Sequence, residues 1–291
     1  MGAGWYMERF SLAIQGFVEA IKVFNEESGT STWIYTCEYR EMKVLILGSN
    51  GMLGPYVEKA LQDDHHLILT DIQEEYEGNN EYLQLDVADL EGVVSAAEGV
   101  DAIVNLSVLR HDRKLAFDVN ARGCYNVMKA AVHHGISRVI NTGPHFTIAG
   151  PGYEDFEFNI NSEIPSQSGT GLYAHTKSLG QEICRVFSEN HDLHVITLLF
   201  YNFKESGDNM LSASAIDPNQ FVPFSVTWED AARAFPLSLE IPDDKLPSKC
   251  EIFNIFCDLP HGQFQNEKSR RILGWESTDN LEEYWKIDSL E

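Results

Sequence analysis

The segment 43–54, KVLILGSNGMLG, constrains this chain more than any other stretch. Val44 to Leu47 is an apolar, β-branched and leucine-rich run, the composition of a strand buried on both faces. It leads straight into Gly48, Gly51 and Gly54, and a helical pattern of Tyr56-Val57 and Ala60-Leu61 follows. Three glycines alone are a weak signal, but strand, glycine turn and helix in that order predict a phosphate-binding crossover. Gly48 permits the tight turn, Gly51 lets the backbone approach a pyrophosphate, and Gly54 lets the helix pack on the strand with its N-terminus facing the anion. The run 66–70 predicts a second strand ending at Asp71. A carboxylate there accepts hydrogen bonds from adenosine ribose hydroxyls and repels a 2′-phosphate, which favours NAD over NADP.

The rest of the chain repeats this alternation. Further strands are predicted at 82–85, 100–106, 138–142, 194–200 and 251–256. Helices are predicted at 90–97, 115–134, 172–190 and 229–239, with a short one ending at Leu273 and Gly135 capping the helix over 115–134. Parallel strands with crossover helices make an α/β, Rossmann-like doubly wound sheet. The expected division is an NAD-binding domain over 42–202 and a small substrate-binding region over 203–291, interleaved with the core fold. Residues 1–41 stand apart. Phe10, Ile14, Phe17, Ile21 and Phe24 recur at spacings of four and three, which predicts a helical extension, and a start at Met42 is the favoured reading of this segment.

Charge narrows the partners. Lys and Arg number 21 against 45 Asp and Glu, a formal charge of −24. Nucleic acid and anionic membrane surfaces are therefore unfavourable partners, and a small-molecule substrate is expected. Five scattered cysteines without a C-x-x-C pair predict a reduced, cytoplasmic protein without a disulfide framework or zinc site. His65-His66 and His133-His134 are adjacent pairs near element ends, which suits solvated or capping roles better than metal ligation. Trp228 and Trp275 read as core residues.

Tyr173 and Lys177 are four residues apart on a predicted helix, so phenol and ammonium share one face. A nearby ammonium favours phenolate, which suits Tyr173 to general acid/base work, and Lys177 could also hold a nicotinamide ribose. Such pairs are common on helix surfaces; this one lies downstream of a dinucleotide fingerprint, on the helix after the fifth strand. Tyr201-Asn202 ends the sixth strand, where substrate or nicotinamide contacts fall in doubly wound sheets.

With these motifs, the chain resembles the extended short-chain dehydrogenase/reductases, the NAD-dependent epimerase/dehydratase branch, from Lys43 to about Tyr284. Gly48, Gly51 and Gly54 match the branch fingerprint, Asp71 its ribose-binding acid, Asp86-Val87 its adenine-contacting pair, and Asn120 its helix asparagine. Tyr173 and Lys177 match its catalytic pair. The resemblance also implies cofactor contacts at Asn50, Met52 and Leu53 in the glycine loop and at Leu106 after the fourth strand. Later matches are Trp228 to Ala234, Phe253-Asn254-Ile255 and Lys268 to Trp275.

The compact length and the segment RVINTGPHFTIA (138–149) are similar to uronate dehydrogenases, which oxidise the anomeric carbon of a hexuronic acid with NAD. Two positions depart from that group. Its catalytic serine or threonine falls on Gly143 or Pro144, which have no side-chain donor; Thr142, His145 or Thr147 could stand in, with Thr142 and His145 the preferred catalytic candidates. Its carboxylate-gripping arginine falls on Leu198 or Leu199, leaving Arg110 and Lys204 as alternatives.

The expected function is an NAD-dependent oxidoreductase acting on a sugar or sugar-acid hydroxyl, with Tyr173 as general acid/base. The alternatives are a redox-neutral nucleotide-sugar epimerase or dehydratase, and a non-catalytic NAD-binding protein. By analogy, a homodimer through the helices 115–134 and 172–190 is the default assembly.

Overall fold

A computed structural model describes residues 5–13, 17–25, 30–37, 41–144, 146–149, 160–206, 225–259 and 264–282, the first three groups as backbone only. These first three are strands, not the expected helix. β1 (Trp5–Ala13), β2 (Phe17–Asn25) and β3 (Thr30–Cys37) pair antiparallel in that order, with Trp5 opposite Asn25 and Val18 opposite Cys37. The runs are rich in aromatic and β-branched residues, which favour strands. The four-and-three spacing from Phe10 to Phe24 runs across Gly16, a residue that disfavours one continuous helix.

The main sheet begins at Lys43. Its seven parallel strands are β4 (Lys43–Leu47), β5 (His66–Asp71), β6 (Glu81–Gln84), β7 (Ala102–Asn105), β8 (Arg138–Gly143), β9 (His194–Leu199) and β12 (Cys250–Asn254). They lie in the order β12-β9-β8-β7-β4-β5-β6. β12 thus carries the late region into the edge of the sheet, in register from Cys250 opposite Val195 to Asn254 opposite Leu199. A separate two-residue pair, β10 (Phe203–Lys204) and β11 (Val226–Thr227), lies outside this sheet.

Both faces of the sheet are covered over its inner strands, which are apolar on both sides, whereas the edge strand β6 is largely exposed. Along β4, Val44 and Ile46 join one core with Leu67, Leu69, Val104, Ile196 and Phe235. Leu45 and Leu47 join the other with Ile68, Ile103, Val139, Val127 and Met128. Helices α1 (Gly54–Leu61), α7 (Trp228–Ala232) and α8 (Ala234–Glu240) cover the first face, and α2 (Leu90–Ala96), α4 (Cys124–His134) and α6 (Leu172–Asn190) the second. The short α3 (Arg113–Phe117) leads into α4, and α5 (Phe146–Ala149) follows β8.

Two predicted helices differ from the pattern. The long helix starts earlier, at Arg113, where Asp112 caps it by accepting from the Leu115 N–H at 2.8 Å. It also widens into a π turn over Asp118–Gly123 before α4. The helix expected over 229–239 breaks at Arg233, because Pro236 has no N–H to give to the carbonyl one turn back. Gly135 does end α4 in the left-handed conformation, with φ +69°.

No helix among the described residues is long and apolar enough to cross a membrane. Cys124, Cys184, Cys250 and Cys257 are free thiols, and no described cluster of His, Cys, Asp and Glu could hold a metal.

Candidate active site

β4 has β5 on one side and β7 on the other, so successive crossovers leave it in opposite directions. That switch point opens a crevice at the carboxyl ends of the strands. A cleft of about 430 Å³ lies there. It joins the glycine loop to the far helix: its lining includes Gly48, Gly51, Met52, Leu53 and Gly54 from the loop, Leu106 after β7, Thr142 at the end of β8, and Tyr173 and Lys177 on α6.

The loop leaves no room for side chains at its glycines. Gly48 has φ +80°, and a Cβ there would stand 2.8 Å from the Ser107 nitrogen. At Gly54 a Cβ would stand 1.7 Å from the Ser49 carbonyl oxygen. This close-packed backbone, running into the N-terminus of α1, fits a dinucleotide pyrophosphate. Asp71 ends β5 beside the loop, and its carboxylate accepts the Asn50 N–H at 3.1 Å. The Asn50 amide in turn donates to the Glu75 carbonyl at 2.8 Å and the Tyr82 hydroxyl at 3.2 Å, so its side chain braces the loop.

Five residues expected to touch cofactor lie off the cleft lining: Asn50 and Asp71, described above, and Asp86, Val87 and Asn120. Asp86 is exposed and accepts the Ala88 N–H at 2.9 Å. Val87 is buried, with its carbonyl bonded by the Asn126 amide at 2.9 Å. Asn120, in the π turn, brackets Leu109: it accepts the Leu109 N–H at 3.0 Å and donates to the Leu109 carbonyl at 2.6 Å. It also donates to Thr176 at 2.9 Å, tying the loop after β7 to α6.

Lys177 is 4 % exposed and donates to the Ser107 carbonyl at 2.9 Å. Burial lowers its pKa to about 8, with Cys124 and Cys184 opposing that shift. The cation that acts on Tyr173 is a different one. Burial holds the Tyr173 phenol above its ordinary value; Arg110 opposes this through its charge and a hydrogen bond without cancelling it. The Arg110 guanidinium carbon lies 5.3 Å from the centroid of the Tyr173 ring.

The region of the missing serine is rebuilt. Thr142 lines the cleft, and its hydroxyl donates to the Asn105 carbonyl at 2.9 Å. Thr147 is fully buried and lies off the lining; it donates to the Pro144 carbonyl at 3.0 Å and accepts from Gln181 at 2.9 Å. His145 lies outside the described residues. A Cβ on Gly143 would come within 2.6 Å of the Gln181 amide nitrogen, so Gln181 fills the space beside this position. Its place was legible: Tyr173, Lys177 and Gln181 follow one another at four-residue spacing along one face of α6. Leu198 and Leu199 are fully buried, one on each side of β9, and neither reaches the cleft.

Aromatic residues wall the open side. Phe203 and Trp228 stack with centroids 4.0 Å apart and planes 2° apart, and both line the cleft. Trp228, read as core, is 9 % exposed and does both jobs. Trp275 is core, with its indole N–H on the Asp230 carbonyl at 2.8 Å. Tyr201 and Asn202 line the cleft as well. Asn202 takes φ +50°, and its side-chain oxygen accepts from Ser225 at 2.7 Å. The histidine pairs have ordinary roles: His65 accepts the Met42 N–H, His66 faces Glu81 at 3.7 Å, and His134 bonds the Val94 carbonyl.

A seven-stranded parallel sheet in this order, with a glycine loop at the switch point and Tyr173-Lys177 on the helix after the fifth strand, defines a Rossmann-like fold of the short-chain dehydrogenase/reductase type. Residues 44–210 match the sequence model of the NAD dependent epimerase/dehydratase family, and the chain belongs to that family. A uronate dehydrogenase of Pseudomonas syringae pv. tomato is 26% identical over 162 residues, covering 54% of this chain and 58% of that protein. The chain thus matches under three fifths of that relative's length. An NAD-dependent glucose-6-phosphate dehydrogenase of Haloferax volcanii is 21% identical over 276 residues, covering 84% of this chain and 96% of that protein. The crystal structure of uronate dehydrogenase from Agrobacterium tumefaciens superposes with a TM-score of 0.68 at 19% identity, over 86% of this chain and 90% of that one.

Proposed function

We propose that this protein is an NAD-dependent dehydrogenase that oxidises a hydroxyl of a sugar or sugar acid, with Tyr173 as general base. The observation that carries this reading is the single cleft that the glycine loop shares with Tyr173 and Lys177. Bound NAD supplies the hydride acceptor. Tyr173, as phenolate, takes the proton from the substrate hydroxyl while the C–H bond of the same carbon breaks with its electron pair and the carbon becomes a carbonyl. Arg110 favours the phenolate by its charge. Lys177, which donates to the Ser107 carbonyl, has the role of holding the nicotinamide ribose in this reading. Thr142 gives its proton to Asn105, so it offers the reacting hydroxyl an acceptor rather than a donor. The Phe203–Trp228 wall keeps water from the reacting carbon. Asp71, at the end of β5, sets the choice of NAD over NADP through its charge.

Replacing Tyr173 by Phe tests the mechanism. Turnover should fall by at least roughly 10²-fold, the contribution of a positioned acid/base, while NADH binding, followed by fluorescence, stays near wild type. Undiminished turnover would rule out Tyr173 as the base. The lack of a side-chain donor at Gly143 and Pro144 supports one second reading, an NAD-binding protein without turnover. Tight NAD binding with no NADH formed from any sugar is its signature.

A further inference from the structure

Against a formal charge of −24, the cleft is electrostatically unusual. Among the described residues its lining carries two cations, Arg110 and Lys177, and no carboxylate. Lys177 is buried and already bonded to the Ser107 carbonyl. Arg110 is exposed, and no described carboxylate lies within ion-pair distance of it. Its approach is set in advance. Asn120 grips both the N–H and the carbonyl of the preceding residue, Leu109, and the Tyr173 ring lies under the guanidinium. A planar fork stacked on an aromatic ring loses little freedom on binding, and its geometry matches a carboxylate or a phosphate.

We propose that Arg110 is the residue by which this cleft selects its substrate: the guanidinium takes a carboxylate or phosphate carried by the sugar, beside the hydroxyl that faces Tyr173. This inference rests on the dehydrogenase reading for the identity of the ligand as a sugar. It moves anion recognition from β9, where Leu198 and Leu199 are sealed in the core, to the loop after β7. The position of Arg110 beside the acid/base requires the anionic group to lie near the carbon that is oxidised.

The test reads binding without turnover. The Tyr173→Phe protein keeps the ring under Arg110; loaded with NAD, it is titrated calorimetrically with glucuronate, glucose 6-phosphate and glucose. At least one anionic sugar should bind more tightly than glucose. Arg110→Gln in the same background should weaken that anion by roughly 10–100-fold, the range for losing a charged hydrogen-bond partner, and leave glucose unchanged. Arg110→Lys, which keeps the charge and loses the fork, should fall between. Binding of glucuronate alone assigns a carboxylate, and of glucose 6-phosphate alone a phosphate. The proposal is overturned if neither anion is preferred, if Arg110→Gln leaves the anion's affinity unchanged, or if it weakens anion and glucose alike. NADH formation by the protein with Tyr173 intact is measured separately. Arg110-dependent binding without NADH formation would sink the dehydrogenase reading and leave this one standing.

Discussion

At the scale of single residues, the site is governed by which charges are buried and what faces them. Lys177 titrates near 8 in the folded protein and at about 10.5 when unfolded. Between those values the unfolded chain binds more protons at this position, so the contribution of Lys177 to stability rises with pH across that window. Below about 8 its full burial cost is present. Urea unfolding of wild type and Lys177→Met at pH 7 and pH 10 should therefore show wild type gaining relative to the variant as pH rises; a constant difference would mean that Lys177 is not held charged against burial. Arg110 acts on Tyr173 in the opposite sense. Removing it lets burial raise the phenol further, so the rise of kcat/KM with pH in Arg110→Gln should move to higher pH than in wild type. The Tyr173–Lys177 pair was legible from spacing alone. That Arg110 also lies against the Tyr173 ring was not, because it depends on where Asn120 holds the loop after β7.

Between elements, the key contact is β8 against α6, where Gln181 stands beside Gly143. Gly143→Ser adds a hydroxyl at this position, but its Cβ meets the Gln181 amide at 2.6 Å and a Leu199 methyl at 3.0 Å. Displacing Gln181 also breaks its bond to Thr147. The substitution should cost roughly 1–3 kcal/mol of stability, the usual range for overpacking, measured by chemical denaturation. Gln181→Ala in the same chain should recover part of that loss, giving a clear coupling in a double-mutant cycle. Additive losses would show that the two positions do not share this space. Elements whose pattern is local were readable at this scale. The helix expected over 172–190 is α6 with the same ends, and the parallel strands agree within two residues, because buried apolar runs mark them. The π turn at Asp118–Gly123 was hidden, since its cause is the reach of Asn120 to Leu109 and Thr176 across the fold. The break at Arg233 was marked by Pro236, and that between β1 and β2 by Gly16 in the sequence, but in both places the periodicity of neighbouring residues suggested a continuous helix.

On the scale of the whole molecule, the late segment is fastened to the core by one buried carboxylate. Asp230, fully buried in α7, accepts the N–H groups of Thr278 and Asp279 and the hydroxyls of Ser277 and Thr278, and pairs with Arg233. Burial pushes its carboxyl up, but hydrogen bonds from Thr278, Asp279 and Ser277 outweigh this and hold it below the ordinary range. Its contribution is present above about pH 4 and is lost as pH falls through that lowered value. Asp230→Ala should cost roughly 1–3 kcal/mol, the range for leaving hydrogen-bond donors without their acceptor, since its partner Arg233 is half exposed; a loss under 1 kcal/mol would show that other contacts hold residues 275–279. The fold class was legible because buried apolar runs mark most strands, and the glycine loop and Tyr173-Lys177, each on a predicted strand end or helix, do meet in one cleft. The substrate side was less so, since Phe203, Trp228 and Arg110 come from three distant segments that only the folded sheet brings to one cleft. The central claim is that this cleft oxidises a sugar with NAD. Its most direct test is NADH formation by purified protein given NAD or NADP and a panel of aldoses, uronic acids, sugar phosphates and nucleotide sugars. The account predicts NADH from one sugar class with NAD, little with NADP, and none in Tyr173→Phe. A flat trace across the panel, from protein shown independently to bind NAD, would contradict it.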